Sequence, residues 1–134
     1  MRLLIILLIV NSTYGFGQTF EGLENYSPSG DYENISVHKI TEDSLQSCFI
    51  IWVKHGVKAH YHADHTENIV VISGEGMMTL GEEIFLIKKG DYINIPKGTV
   101  HSVTQVLSEE PLKVLSIQSP QFLGNDRIFV DSDK

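Results

Sequence analysis

His60 and His62 stand two residues apart in the run KAHYH (58–62). On a β-strand that spacing puts both imidazoles on one face and Tyr61 on the other. Residues 63–66 read as a polar turn, and Glu67 opens the next strand-like run, ENIVVIS (67–73), so a carboxylate can fold back toward the histidine pair. His101 follows Pro96-Lys97-Gly98, a rigid turn ahead of a further strand. Three imidazoles and one carboxylate can then converge on one point. Nitrogen and oxygen donors without thiolate suit one divalent first-row transition metal ion: Fe, Mn, Ni, Cu or Zn. Four protein ligands leave one or two positions open on a five- or six-coordinate ion, which is what separates a catalytic centre from a closed structural one.

Short β-like runs must position these groups. They are ISVHKI (35–40), SCFIIWVK (47–54), KAHYH (58–62), ENIVVIS (67–73), MMTL (77–80), EIFLIK (83–88), DYINI (91–95), VHSVTQV (100–106) and LKVLSIQ (112–118). Gly74-Glu75-Gly76 and Gly81-Glu82 are the clearest tight turns. No stretch of ten residues has helical periodicity, there is no internal repeat, and 134 residues make one domain. Many short, evenly spaced strands mean a sandwich, jelly roll or barrel.

Two stretches carry a family resemblance. His60-x-His62-x4-Glu67-x6-Gly74 matches the first cupin motif in spacing, and Gly90-x5-Pro96-x-Gly98-x2-His101 matches the second. They span residues 56–105, and the flanking strands extend the likeness from about 35 to 118. The resemblance implies an all-β fold, a single jelly-roll β-barrel over residues 35–134, with His60, His62, Glu67 and His101 as the metal ligands. Two positions depart from the pattern: Lys54 stands where the family has glycine, with Gly56 two residues later, and Gln105 stands where the second motif ends in asparagine. Small cupins are often dimers, so the resemblance also implies a homodimer. Its functions are diverse: a metalloenzyme on a small organic molecule (dioxygenase, lyase or isomerase), a non-catalytic module for a small ligand or sugar, or a fold stapled by its metal.

Strand alternation predicts the lining of the pocket. Glu67 inward takes Ile69, Val71 and Ser73 with it; His101 inward takes Val103 and Gln105; Lys58 shares the parity of His60. The cavity is thus mainly apolar, and Gln105 is expected to shape it beside the metal. No arginine lies on the barrel strands, which argues against a sugar-phosphate isomerase. His38 and His55 read as exposed or loop histidines. His65 does too, but its place between His62 and Glu67 also allows a supporting or acid/base role. Cys48, the only cysteine, reads as a buried thiol in an apolar strand and excludes an intramolecular disulfide. The runs Phe49–Trp52 and Ile69–Ile72 are apolar on both faces, so their outer side needs a cover, from a second sheet or a partner subunit.

With 17 acidic against 10 basic residues the net charge is −7, which disfavours nucleic acid and anionic membrane as partners. Residues 18–34 are polar and read as a mobile lead or a loose edge segment; Asn25 and Asn34 there match the glycosylation sequon. Residues 1–17 read as a cleaved secretory signal peptide: Met1-Arg2 gives a positive start, Leu3–Val10 is an unbroken apolar run too short to span a bilayer, and Gly15 and Gly17 are small. The expected mature protein is secreted or periplasmic, begins at Gln18 (Phe16 with the alternative site), and has no stable membrane anchor. Mass spectrometry of exported protein checks this; an intact Met1 in a cytosolic fraction would rule it out.

Overall fold

The computed structural model describes residues 20–130; the Leu3–Val10 run and the cleavage positions lie outside the described residues. Ten strands follow a short 3-10 turn at Leu23–Asn25. They are β1 (Ile35–Asp43), β2 (Gln46–Val53), β3 (Val57–Tyr61), β4 (Thr66–Ser73), β5 (Glu75–Leu80), β6 (Glu83–Lys88), β7 (Tyr92–Ile95), β8 (His101–Val106), β9 (Leu112–Ser119) and β10 (Ile128–Phe129). They form two five-stranded sheets, β1-β2-β9-β4-β7 and β10-β3-β8-β5-β6, in which the paired strands run antiparallel. This is the expected all-β jelly roll. Nine strands fall where the alternation placed them; β10 was not foreseen. Among the described residues no helix is long and apolar enough to cross a membrane.

The core lies between the sheets. Val53, Val71, Met78, Ile87, Ile93, Ile95, Leu112 and Val114 are buried together, with Ile51, Val57, Ile69 and Val103 packed against them. Burying an aliphatic side chain of this size stabilises the fold by about 1.5–3 kcal/mol.

Bulges break the simple alternation. On β3 the register passes from Val57↔Val103 to His60↔His101, so three steps on β3 oppose two on β8. On β8 Thr104 is extra between Gln105, opposite Met77, and Val103, opposite Met78. On β4 Ile72 is extra between Val71 and Ser73. An extra residue flips every later side chain to the other face. Lys58 and Gln105 are therefore exposed, and Ser73 pairs with Lys113, whose side chain points away from the core. The expectation that these three line the cavity is corrected: Ile69 and Val103 line it, while Lys58, Ser73 and Gln105 do not.

Of the two readings of the lead segment, its contacts fit an edge segment tied to the barrel. The Lys113 ammonium, buried above the Trp52 ring, donates to the carbonyls of Glu24 (3.2 Å) and Tyr26 (2.8 Å). Tyr26 lies against His38, whose cross-strand partner is Ile50. Asn34 accepts the backbone N–H of His55 and donates to the Gly56 carbonyl. The chain itself thus covers the outer apolar face at Ile50 and Trp52, both buried.

Gly74 lets the chain pass from one sheet to the other. Its φ is 76°, and a Cβ there would meet Leu112 Cα and Pro111 O at 2.9 Å. Gly81, in the β5–β6 turn, has φ 59° but open space around it. Gly81→Ala should cost only the left-handed backbone strain, about 1 kcal/mol, whereas Gly74→Ala adds a backbone clash and should cost about 2 kcal/mol or more. Urea denaturation of the two variants measures the difference; equal losses would contradict it.

Candidate metal centre

The ligand set predicted from spacing comes together at one end of the barrel. His60 is the last residue but one of β3, His62 follows just beyond the strand, Glu67 is the second residue of β4, and His101 opens β8 directly opposite His60. All four are buried at 2–5 % exposure. One donor nitrogen from each of His60, His62 and His101 lies within 4.8 Å of the others. Glu67 Oε2 is 3.4 Å from Nε2 of His62 and 3.4 Å from Nε2 of His101. Two atoms each about 2.1 Å from one ion stand about 3.0–3.4 Å apart when adjacent, so this spacing suits donors sharing an ion better than a direct hydrogen bond.

The backbone fixes which nitrogen is free. His60 Nδ1 faces the Lys58 carbonyl at 2.7 Å, His101 Nδ1 faces the Thr99 carbonyl at 3.0 Å, and His62 Nδ1 faces the Asp126 carbonyl. A carbonyl only accepts, so each Nδ1 must carry the proton and each neutral ring presents the lone pair of Nε2. The Nε2 atoms of His62 and His101 are buried with no hydrogen-bond partner. Buried polar atoms are rarely left this way, and a divalent ion in front of Glu67 is a partner that fits them. The bulge that turns Lys58 outward is also what brings its carbonyl under His60.

Glu67 is held from both sides. Ser116 and Gln118 on β9 donate to Oε1, leaving Oε2 toward the imidazoles. Burial acts to raise its pKa, but the imidazoles of His101 and His62 and the Ser116 hydroxyl outweigh it and hold the carboxyl well below the usual range. For His62 burial acts downward, but Glu67 and the Asp126 carbonyl prevail and raise it. Burial pushes His60 down to about 4, with the charges of His101 and Arg127 adding to it against the pull of the Lys58 carbonyl.

Asp126, Arg127, Ser116 and Gln118 are absent from the set predicted by spacing. Asp126 accepts the backbone N–H groups of Ala63 (2.8 Å), Asp64 (3.0 Å) and His65 (3.2 Å), and pairs with His65 Nδ1 at 2.7 Å. His65 is buried and stacks on His62 with ring centroids 4.1 Å apart, so the supporting role left open for it is the one its contacts fit. His62, His65 and Asp126 form a second close grouping, but the carboxylate oxygens already accept these hydrogens, which makes it a clamp on the turn carrying His62. Ser116 and Gln118 had a signal: both share the inward parity of Leu112 and Val114, on a strand face that is otherwise apolar. Asp126 had none, since its partners lie 61–64 residues away. Arg127, next to β10, lines the cavity with His60, Glu67 and His101. No arginine lies on the strands themselves, but Arg127 reaches the cavity from the segment before β10, so the lack of strand arginines does not exclude an anionic substrate. His38 and His55 are exposed as expected, and Cys48 is half-buried, its thiol pushed up by burial and then by Asp43.

A histidine whose folded pKa is depressed takes up its proton later than the unfolded chain does, so stability falls as pH drops from about 6.5 toward 4. His62, raised in the fold, contributes in the opposite sense, its share being lost as pH rises through its folded value. In chelator, the melting temperature should fall over that window and fall less in His60→Gln. Parallel profiles would show that His60 does not set the slope.

A family model for the cupin domain matches residues 48–118, just over half the chain. An uncharacterised protein of Aquifex aeolicus is 35% identical over 76% of this chain and 83% of its own length. RfbM of Salmonella typhimurium, a mannose-1-phosphate guanylyltransferase, is 34% identical over 78% of this chain, but the match spans only 21% of that protein. Pac13 of Streptomyces, solved with uridine, superposes with a TM-score of 0.64 at 17% identity, covering 86% of this chain and 92% of its own. That last likeness is one of fold. The domain match over the strands that carry both histidine motifs, with the Aquifex relative aligned across three quarters of the chain, shows that this protein belongs to the cupin family.

Proposed function

We propose that the chain binds one divalent transition metal ion through His60, His62, Glu67 and His101 and acts as a metalloenzyme on a small organic molecule. The observation that supports this most is the set of backbone carbonyls that keep each Nδ1 protonated and leave Nε2 free, with Nε2 of His62 and His101 each 3.4 Å from Glu67 Oε2. A bound ion would supply Lewis-acid polarisation of a substrate oxygen. The chain supplies the rest. Ser116 and Gln118 aim the carboxylate, and the walls built from Ile51, Val53, Ile69, Met78 and Val114 keep water from the reacting end.

The lining narrows the reaction class. Its titratable side chains are His60, Glu67, His101 and Arg127; three belong to the ligand set, and arginine gives up no proton. A lyase or isomerase needs a group that moves protons. Oxidation with dioxygen as co-substrate asks least of the protein, and we favour it. The same lack of a free acid or base supports a second reading, a non-catalytic cupin that captures a small ligand outside the cytoplasm.

Elemental analysis of untagged protein should find about one divalent ion per chain. His62→Ala and His101→Ala should lose it and Glu67→Gln should weaken it. Asp126→Ala should lower affinity by about 10–100-fold in chelator competition, because the His62 turn loses its clamp. Full metal in His62→Ala would refute the shell. Oxygen uptake across a substrate panel then separates the readings: turnover supports the enzyme, and tight binding without turnover supports the capture module.

A further inference from the structure

Arg127 stands where two cavities meet. The inner one, about 60 Å³, adjoins His60, Glu67 and His101; the outer one, about 390 Å³, opens between Phe49, Phe122 and Phe129. Only Ile51 and Arg127 line both. Among the described residues Arg127 makes no salt bridge and no side-chain hydrogen bond, and its Nε is buried without a partner. A guanidinium stays charged at any working pH, and holding it unpaired in a partly buried place costs stability. The two buried carboxylates of this region are engaged elsewhere: Glu67 faces the imidazoles, Ser116 and Gln118, and Asp126 caps the turn at 63–65 and holds His65. In a chain of net charge −7, an unpaired cation at the neck of a cavity is a feature to explain.

The charges and dimensions specify what would pair with it. With a divalent ion in place, the inner end would carry two positive charges against the one negative charge of Glu67, and Arg127 adds another beside it. An anion offsets this excess and a neutral molecule does not. The inner cavity has room for roughly four water-sized centres, so only a few non-hydrogen atoms of a ligand enter it. The outer chamber is walled by Val37, Phe49, Phe122 and Phe129 and suits an apolar body. A phosphomonoester would bring nearly two charges and three strong acceptors, whereas among the described residues Arg127 is the one cation lining either chamber. A carboxylate matches a single guanidinium fork in charge and in shape.

We infer that Arg127 is the recognition group for a small carboxylic acid, holding its carboxylate at the neck with its reacting end toward the metal ligands and its apolar tail in the outer chamber. This deepens the metalloenzyme reading and depends on it only for the reacting end.

Calorimetry tests it on metal-loaded protein with three probes: 2-oxopentanoate, the matching amide and propyl phosphate. The wild type should bind the acid about tenfold or more tighter than either of the others. Arg127→Gln should erase the acid-over-amide preference with metal content unchanged and melting temperature equal or higher, since an unpaired charge is removed, and Arg127→Lys should retain part of the preference. Equal binding of acid and amide by the wild type, a preference that survives in Arg127→Gln, tighter binding of propyl phosphate, or no acid binding at millimolar concentration would each overturn the assignment. Loss of metal or of folding in both Arg127 variants would overturn it too, by marking the residue as scaffold. Metal is measured in each sample: a metal-free wild type refutes the metal reading, while the acid-to-amide ratio still reports on Arg127.

Discussion

Glu67 places a carboxylate at 5 % exposure inside a barrel whose walls are mostly aliphatic. Taking a lone carboxylate out of water costs far more than any one contact in this fold returns, so the surrounding structure is organised around that charge. One oxygen is met by Ser116 and Gln118, set into a strand otherwise devoted to Leu112 and Val114. The other oxygen looks at two imidazole nitrogens whose remaining ring atoms are tied to the backbone. Burial acts to lower the His62 pKa, and this carboxylate together with the Asp126 carbonyl outweighs it and raises it. The carboxylate thereby gathers β3, β4, β8 and β9 around a common point.

The sequence showed much of this and missed part of it for definite reasons. His60 and His62 could be read because a two-residue step on a strand fixes a shared face, and His101 because its turn residues announce where β8 starts. The strands themselves stand out because their alternation is strong and their turns carry glycine. Lys58, Ser73 and Gln105 were misplaced because bulges leave no local signature in composition: each inserts one residue, and parity fails beyond it. Asp126 and Arg127 were beyond reach, because a two-residue strand has no periodicity and their roles arise from contacts made some sixty residues away along the chain.

Both ends of the described chain close the barrel by polar ties to backbone. At one end Lys113 gathers the carbonyls of Glu24 and Tyr26 over Trp52, and Asn34 fastens the turn at His55 and Gly56. At the other, Asp126 gathers the N–H groups of residues 63–65. Such ties let segments with little apolar surface of their own cover a sheet face or a cavity mouth. They also explain why apolar runs on β2 can exist with both faces buried inside a single chain.

The closure at β10 has a kinetic side. The pairing is only two residues long, Ile128 with Tyr61 and Phe129 with His60, and its side chains are largely exposed. Short edges of this kind open locally, at far lower free energy than the whole domain unfolds. The carbonyl that dictates the proton position on His62 sits just before it, on Asp126. Opening of this edge would loosen the Asp126 carbonyl from His62 while Glu67, His101 and the core keep contacts made by other strands. Exchange at His62 would then need only the last short strand to open, not the barrel to loosen.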